Sequence, residues 1–410
     1  MEKLIERFLN YTRQHTTSDP KSDSSPSTAR QLDFAARLAA ELKEIGLSEV
    51  ELDEKGYLTA TIPANTPGDI PVVGLVAHID TSPDFNGDQV NPQIIPEYNG
   101  GVIELGSPAD RRLDPAELPE LKNYIGQTLI TTDGSSLLGA DNKAGVAEIV
   151  TAAEILLRSS DLPHGKIRIC FTPDEEIGRG ADHFDVQKFG ATFAYTIDGG
   201  EIGELEYENF NAAHAVVTFQ GKSVHPGAAK NKMVNAQLVA HRFIAMLPQS
   251  QRPEHTEQYE GFFHLLSMTG NVEQAALEYL VRDHDSEKFR QKKELLHDIA
   301  RILNAEYGNS TVKLEVQDQY YNMRQKIEPV MYVVELAEKA MKMAGVQPKI
   351  RAIRGGTDGA RLSYMGLPCP NIFTGGHNFH GPYEFIPVES MQKSVEVILH
   401  ICQLATKLKR

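Results

Sequence analysis

Cysteine is scarce in this sequence, with only Cys170, Cys369 and Cys402 in a chain of 410 residues. They are too few and too scattered to form a disulfide framework or a thiolate zinc site. Cys170 and Cys369 lie in apolar segments, so we expect them to be buried and reduced. Disulfide-stabilised secreted domains and cysteine-liganded zinc proteins are therefore excluded.

The chain also lacks a run of about 18 apolar residues, which a membrane-spanning helix would need. A secretory signal has a basic start and an unbroken apolar stretch. Residues 1–9 instead mix charged and apolar side chains at helical spacing. We therefore expect no membrane partner and a cytoplasmic location.

Positive charge is in deficit, with 41 Lys and Arg against 56 Asp and Glu and a net charge of −15. Such a surface repels nucleic acid and anionic membranes. No basic stripe with interleaved aromatic residues offsets it. We expect no nucleic-acid partner, and we attribute the charge to solubility.

The pattern of strands and helices predicts an α/β fold. Apolar runs at 72–78, 166–171 and 193–197 are typical of strands buried on both faces, and helices are predicted at 28–45 and 144–158. This alternation predicts a mixed, mostly parallel sheet sandwiched by helices. Residues 80–126 are rich in Pro, Asn, Asp and Gly and predict an irregular excursion with one hairpin.

The pattern changes after about residue 208. Strands at 212–220, 261–269, 276–282 and 311–317 and helices at 231–247 and 285–306 follow in the order βαββαβ, which is that of a ferredoxin-like unit. The α/β pattern then resumes from about residue 325. We therefore predict a catalytic domain in two parts, 1–207 and 323–410, with an inserted α+β lid domain at 208–322.

Histidine and acidic residues fall just past the ends of the predicted core strands, where open α/β sheets bind ligands. His78 and Asp80 are two residues apart, so on an extended backbone they share a side. His78 can then bind a metal while Asp80 accepts its other ring N–H. Asp141 lies between a glycine-marked turn and a helix. Taken singly, a hydrogen-bonded strand-end histidine and an N-cap aspartate explain these residues better.

Three further segments have the same character. Glu175 and Glu176 are adjacent, so one can ligate a metal while the other stays free as a base; a solvated acidic loop is the competing interpretation. Asp198 ends an apolar strand, where a simple turn would also account for it. The last segment carries His377 and His380, and spacing alone does not choose between them.

Together these segments supply two histidines and three or four carboxylates at one edge of a sheet. Imidazole with carboxylate suits zinc, and also manganese or cobalt. Two metals that share a bridging carboxylate can activate a water and polarise a carbonyl. The chain has no Walker P-loop, no G-x-S-x-G elbow and no His-Glu-x-x-His helix, and Gly355–Gly359 fails the dinucleotide pattern.

These five segments occur in the order found in the co-catalytic di-zinc exopeptidases, a clan that includes aminoacylases, glutamate carboxypeptidase and desuccinylases. The resemblance runs from the first helix to the last. It implies that two Zn²⁺ ions bind per subunit. His78, Asp141 and Asp198 would hold one ion, and Asp141, Glu176 and His380 would hold the other.

The resemblance also implies catalytic roles. Glu175 would be the general base, and Asp80 would be the carboxylate partner of His78. In the lid, His225 resembles a histidine that stabilises the oxyanion. Arg282 resembles the arginine that binds a substrate carboxylate, for which a guanidinium fork is suited, and Arg354 is a second candidate.

Within the clan the chain is most similar to the tripeptide aminopeptidases, so the resemblance implies release of the N-terminal residue from short peptides. A carboxypeptidase or N-acyl-amino-acid deacylase of the same clan is the alternative enzyme. An inactive peptide- or metal-binding protein is the alternative of another class. The clan contains both monomers and lid-mediated dimers, which makes a homodimer compatible with the resemblance.

Overall fold

The computed structural model describes residues 2–106 and 110–408. The chain divides into two compact units. The first comprises Met1–Tyr207, Gln325–Arg351 and Thr357–Arg410, and the second comprises Glu208–Arg324 and Ala352–Gly356. The short stretch Ala352–Gly356 thus groups with the second unit, whereas the sequence pattern predicts that it belongs to the catalytic domain.

The helices of the described residues are distributed over both units. They are α1 Glu2–Thr12, α2 Ala29–Ile45, α3 Ala140–Arg158, α4 Val186–Phe189, α5 Ala236–Met246, α6 Ser286–Tyr307, α7 Arg324–Ile327, α8 Tyr332–Met343, α9 Asp358–Tyr364 and α10 Val388–Ala405.

The strands found in residues 2–106 and 110–408 belong to four sheets. They are β1 Ser48–Leu52, β2 Leu58–Ile62, β3 Val73–His78, β4 Pro92–Ile95, β5 Ile103–Glu104, β6 Arg112–Leu113, β7 Leu129–Thr132, β8 Ile167–Thr172, β9 Phe193–Gly199, β10 Glu204–Asn209, β11 Asn211–Gln220, β12 Phe262–Gly270, β13 Gln274–Asp283, β14 Val312–Tyr320, β15 Lys349–Ile353, β16 Asn371–Phe373 and β17 Phe385–Pro387.

The main sheet of the first unit has eight strands in the order β1-β2-β8-β3-β9-β16-β10-β15. Its centre, β8-β3-β9-β16, is parallel, and β2 and β10 flank it in antiparallel pairing. Every residue of β3 and β8 is buried, so both faces of the sheet are covered. The predicted mixed, mostly parallel α/β sheet is confirmed.

Helix α3 packs on β3 and β9 and also contacts α1 and α10. It begins at Ala140, but Asp141 and Asn142 have non-helical backbone angles, so regular helix starts after them. Gly145 lets the first turn approach the sheet, because a Cβ there would lie 2.0 Å from the carbonyl oxygen of Ile197. The Asp141 segment is therefore held directly against the end of β9.

The first unit also contains a three-stranded sheet in the order β17-β7-β4, which the sequence pattern does not predict. It joins residues near 92, 130 and 386 by antiparallel pairing. The predicted hairpin of the 80–126 region corresponds to β5 and β6. Strands of three or four residues carry too little periodicity to be recognised locally, and here long-range pairing determines them.

The second unit contains a four-stranded antiparallel sheet in the order β12-β13-β11-β14. Helices α5 and α6 pack on it around an apolar cluster that includes Phe219, Phe243 and Leu277. This is the strand order of a split βαβ unit. Helix α5 starts at Ala236, later than predicted, because the Asn235 side chain caps it by accepting from the N–H of Gln237.

Candidate metal centre

The four central strands end at the same edge of the main sheet because they run parallel. His78 is the last residue of β3, Asp198 lies at the end of β9, and the Glu175–Glu176 pair follows β8. The loop that carries His380 follows β16. Parallel topology alone therefore brings together side chains that are far apart in sequence.

His78 is buried and has neighbours at both ring nitrogens. Its Nε2 lies 2.9 Å from Asp141 Oδ1 and 3.2 Å from Asp198 Oδ1. Its Nδ1 lies 3.3 Å from Asp80 Oδ1 and 3.1 Å from the Asp80 carbonyl oxygen. Asp80 therefore fixes the ring so that Nε2 faces the two other carboxylates.

His380 faces the same Asp141 from the other side. Its Nε2 lies 3.2 Å from Asp141 Oδ2 and 2.9 Å from Glu176 Oε2. Its Nδ1 lies 3.2 Å from Asp84 Oδ2. The two oxygens of Asp141 are thus directed to two different histidines, which is the arrangement a bridging carboxylate needs.

The donor set fits divalent metal ions. The ligand atoms of His78, Asp141 and Glu176 all lie within 4.8 Å of one another, as do those of His78, Glu175 and Asp198. In the described residues, Glu176 Oε1 is buried without a hydrogen-bond partner, so this atom is available to a ligand. Imidazole nitrogens and carboxylate oxygens without thiolate suit zinc, manganese or cobalt.

Clustered carboxylates make this edge strongly favourable for positive charge. Burial raises the pKa of Glu176 to about 8 and that of Asp198 to about 6, and it raises the pKa of Glu175 well above its usual range. Burial also tends to raise the pKa of Asp141, but hydrogen bonds from His380 and His78 outweigh the effect of burial, so the pKa of Asp141 is lowered. Hydrogen bonds to Asp141 and Glu176 raise the pKa of His380 to about 11.

The loop that presents Glu175 and Glu176 is held in place through Asp80 and Asp174. Asp80 accepts hydrogen bonds from the N–H groups of Glu175 and Glu176, at 3.0 and 3.2 Å. Asp174 has a left-handed backbone, with φ of 56°. Its carboxylate accepts from Ser27 N at 2.7 Å and from Gln31 Nε2 at 2.7 Å. The two adjacent glutamates are therefore held by main-chain contacts that do not use their own carboxylates.

The structure separates the two histidines that spacing could not rank. His377 is half-buried, stacks on Phe385 with ring centroids 4.8 Å apart, and has its Nε2 2.7 Å from the Tyr124 hydroxyl. Burial lowers its pKa to about 4. His377 thus packs at the base of the loop, whereas His380 reaches the carboxylates.

Two residues near the candidate metal centre are not predicted from the sequence to contact it. Asp84 approaches His380 from the irregular 80–126 region. Glu384 is buried and accepts hydrogen bonds from the N–H groups of Leu138, Gly139 and Asp141. Glu384 lies four residues after His380, but nothing in that spacing signals a contact with a segment 240 residues earlier.

The remaining candidates belong to the second unit. His225 is exposed at the start of a short 3₁₀ turn, Pro226–Ala228, where its Nδ1 accepts from Gly227 N at 3.2 Å. Arg282 lies over the Tyr320 ring, 4.8 Å from its centroid, and donates to the Tyr320 hydroxyl. Arg354 donates to the carbonyl oxygens of Gln258 and Glu260, so part of its fork is already used within its own unit.

Comparisons with known proteins identify the family to which the chain is similar. Residues 137–404 match the profile of "Peptidase family M20/M25/M40". A protein named peptidase T from Caldanaerobacter subterraneus subsp. tengcongensis is 57% identical over 407 residues, which cover 99% of this chain and 100% of that one.

Solved structures share the fold. An aminopeptidase from Bacillus cereus superimposes with a TM-score of 0.78 at 23% identity, covering 99% of this chain and 98% of that one. A protein from Bacillus subtilis described as a dinuclear metal-binding peptidase of the M20 family gives a TM-score of 0.67 at 15% identity, covering 99% and 98% of the two chains.

Proposed function

The chain belongs to the peptidase family M20/M25/M40, and from that premise we propose that it is a two-metal aminopeptidase that releases the N-terminal residue of tripeptides. The enzyme class follows from the family and from near full-length similarity to proteins named peptidase T. The tripeptide substrate and the residue roles are our proposal. The observation that carries the proposal is Asp141, whose two oxygens face His78 and His380 separately.

The proposed metal ligands fall into two sets that share Asp141. His78, Asp141 and Asp198 would hold one ion, and Asp141, Glu176 and His380 would hold the other. Bound there, two Zn²⁺ ions would polarise the scissile carbonyl and acidify a water. Manganese and cobalt suit the same ligands.

We assign the proton transfers to Glu175. Glu176 pairs with His380 at 2.9 Å, whereas no hydrogen bond to the Glu175 carboxylate is present in the part of the chain that the structure describes. A carboxylate without a fixed partner can accept a proton from the attacking water and later donate it to the leaving amine. Asp80 would keep the His78 ring in its metal-binding orientation and would hold the backbone of both glutamates.

Roles for the second unit follow the family resemblance. His225 would stabilise the charge that develops on the carbonyl oxygen. Arg282 would bind the carboxylate of the substrate, for which its planar fork is suited. Arg354 is the weaker candidate for that contact because it already donates to Gln258 and Glu260. The second unit would then act as the lid domain.

The decisive experiment compares an unblocked tripeptide with its N-acetylated and C-amidated forms, after chelation and after Zn²⁺ is restored. We expect Zn²⁺-dependent release of the first residue from the unblocked peptide, no cleavage of the acetylated form and slower cleavage of the amidated form. Cleavage of the acetylated peptide would instead identify a carboxypeptidase or a deacylase. No turnover of any form would identify a peptide- or metal-binding protein.

Two expectations about the enzyme as a whole complete the proposal. We expect it to be cytoplasmic, and a homodimer is compatible with its family. No helix among the residues that the structure describes is long and apolar enough to cross a membrane. Ultracentrifugation of the purified protein measures the oligomeric state directly.

A further inference from the structure

We propose that Glu384 is a positioning residue that holds the Asp141 segment and the His380 loop in register, so that the two can bind the same metal ion. The inference rests on the proposed metal centre and adds a residue to which no metal-binding or catalytic role is assigned above. Within the described residues, the Glu384 side chain makes no hydrogen bond or ion pair with His78 or His380. It acts through the backbone of the segment that carries Asp141.

The carboxylate of Glu384 is fully engaged by main-chain donors. Its Oε2 accepts from Leu138 N at 2.7 Å and from Gly139 N at 2.8 Å, and its Oε1 accepts from Asp141 N at 3.1 Å. Only 1% of the residue is exposed. Three hydrogen bonds to one buried side chain fix its position, and the low dielectric of the interior strengthens each of them.

The backbone of Glu384 is equally constrained. Its carbonyl oxygen accepts from Thr131 Oγ1 at 2.8 Å, and the next residue, Phe385, begins β17 and pairs with Thr131. Phe385 also exchanges two backbone hydrogen bonds with His377, at 2.9 and 3.2 Å. These two hydrogen bonds close the loop that carries His380, so Glu384 is attached to both segments that supply ligands.

The need for two acceptor oxygens makes this contact selective for a carboxylate. A glutamine offers one oxygen, and its NH₂ group would face an N–H donor on the other side. In E384Q, therefore, either the Asp141 N–H or the pair at Leu138 and Gly139 loses its acceptor. A buried donor left without a partner is unfavourable, so we expect the Asp141 segment to move.

Glu389 provides a matched control. It is another glutamate near the β7–β17 pair, and both of its oxygens lie 3.1 Å from the single N–H of Thr128. Glutamine can keep one oxygen on that donor, so E389Q should preserve the contact. Glu389 contacts none of the proposed ligands in the described residues, and E389Q should behave as the wild type.

The experiment measures metal binding without substrate. Metal-free wild type, E384Q and E389Q are titrated with Zn²⁺ against a chromophoric chelator, and with Co²⁺ while its visible absorption is recorded. We expect E384Q to lose about 10–100-fold in affinity for at least one ion, the range typical of residues that support metal ligands. The Co²⁺ absorption of that ion should also change. E389Q should match the wild type in both.

A kinetic readout separates positioning from general destabilisation. With a tripeptide substrate, kcat of E384Q should be low at limiting Zn²⁺ and should recover as Zn²⁺ is raised, while KM stays near the wild-type value. A variant that unfolds more easily but binds both ions with wild-type affinity would overturn the inference. If E384Q does not fold, E384D replaces it, since the shorter side chain keeps the charge but cannot reach all three donors. Wild-type metal affinity in E384D would equally overturn the inference.

The outcome is independent of the substrate proposal. A wild-type protein that binds two ions but cleaves no tripeptide would end the proposed function and leave the role of Glu384 intact. Unchanged metal affinity in E384Q would remove that role whatever the activity on tripeptides.

Discussion

Glu175 and Glu176 are adjacent in sequence, yet the proposed mechanism gives them opposite roles, and the same substitution at each position tests that difference. Both lie at the ligand cluster. Glu176 also pairs with His380 and has a buried oxygen without a partner in the described residues. Glutamine removes the same charge at either position and keeps nearly the same volume, so any difference between the two variants reports the role of the position.

For E175Q we expect both metal ions to bind normally and kcat to fall by about 10²–10⁴, the usual contribution of a general acid–base group. At 1.36 kcal/mol per tenfold, this corresponds to roughly 3–5 kcal/mol of transition-state stabilisation. The loop should keep its conformation because Asp80 holds it through the N–H groups of both glutamates. Added Zn²⁺ should not restore activity.

For E176Q we expect the opposite result. Loss of a charged ligand should lower the affinity for at least one ion, and by more than the about 10–100-fold that is typical when a residue supporting a ligand is removed. Activity should then recover partly at high Zn²⁺. The assay pairs metal content by mass spectrometry with kcat and KM on one tripeptide. An E175Q that loses metal, or an E176Q that keeps both ions and loses activity irreversibly, would refute the assignment.

Three further predictions concern the substrate, pH and stability. R282M should raise KM for a free tripeptide by about 10–100-fold, the loss expected from one charged hydrogen bond, and should leave KM for the amidated peptide unchanged. Equal effects on both peptides would contradict the proposal that Arg282 binds the substrate carboxylate. Metal binding at pH 7 should release protons, because the pKa of Glu176 is raised to about 8 and that of His380 to about 11, and metal affinity should therefore fall as pH falls. Calorimetry in buffers of different ionisation enthalpy measures the proton release, and a release of zero would contradict the prediction. Glu148 is fully buried, and burial raises its pKa well above 4.5, so the folded state binds the proton more tightly and stability should decline as pH rises above about 4.5. E148Q should therefore raise the melting temperature more at pH 8 than at pH 5, whereas equal shifts at both would argue against ionisation of Glu148.

Much of the fold could be predicted because its signals are local. The strands β3 and β8 are continuous apolar runs buried on both faces, and such runs are recognisable without knowledge of their neighbours. Helix α2 likewise ends where Gly46 adopts φ of 103° and its N–H bonds to the carbonyl oxygens of Leu42 and Lys43. Strands β7 and β17 could not be predicted, because a strand of three or four residues is too short to show a periodic pattern. Only the pairing of these strands with each other defines them.

The types of residue at the candidate site were also visible in the sequence. Acids and histidines at strand ends point to a metal centre once the strands are known to be parallel, because their carboxyl ends then share an edge. What the sequence by itself determined was therefore the inventory of ligand types and the chemistry that they suit.

Tertiary structure decided which side chains meet. His377 packs against Tyr124 and Phe385, whereas His380 faces Asp141, although the two histidines lie only three residues apart. Tertiary structure also brought Asp84 to His380 and Glu384 to the Asp141 segment, and it engaged Arg354 with carbonyl oxygens of its own unit. Side-chain direction depends on loop backbone angles and on partners up to hundreds of residues away, and neither is encoded in local spacing.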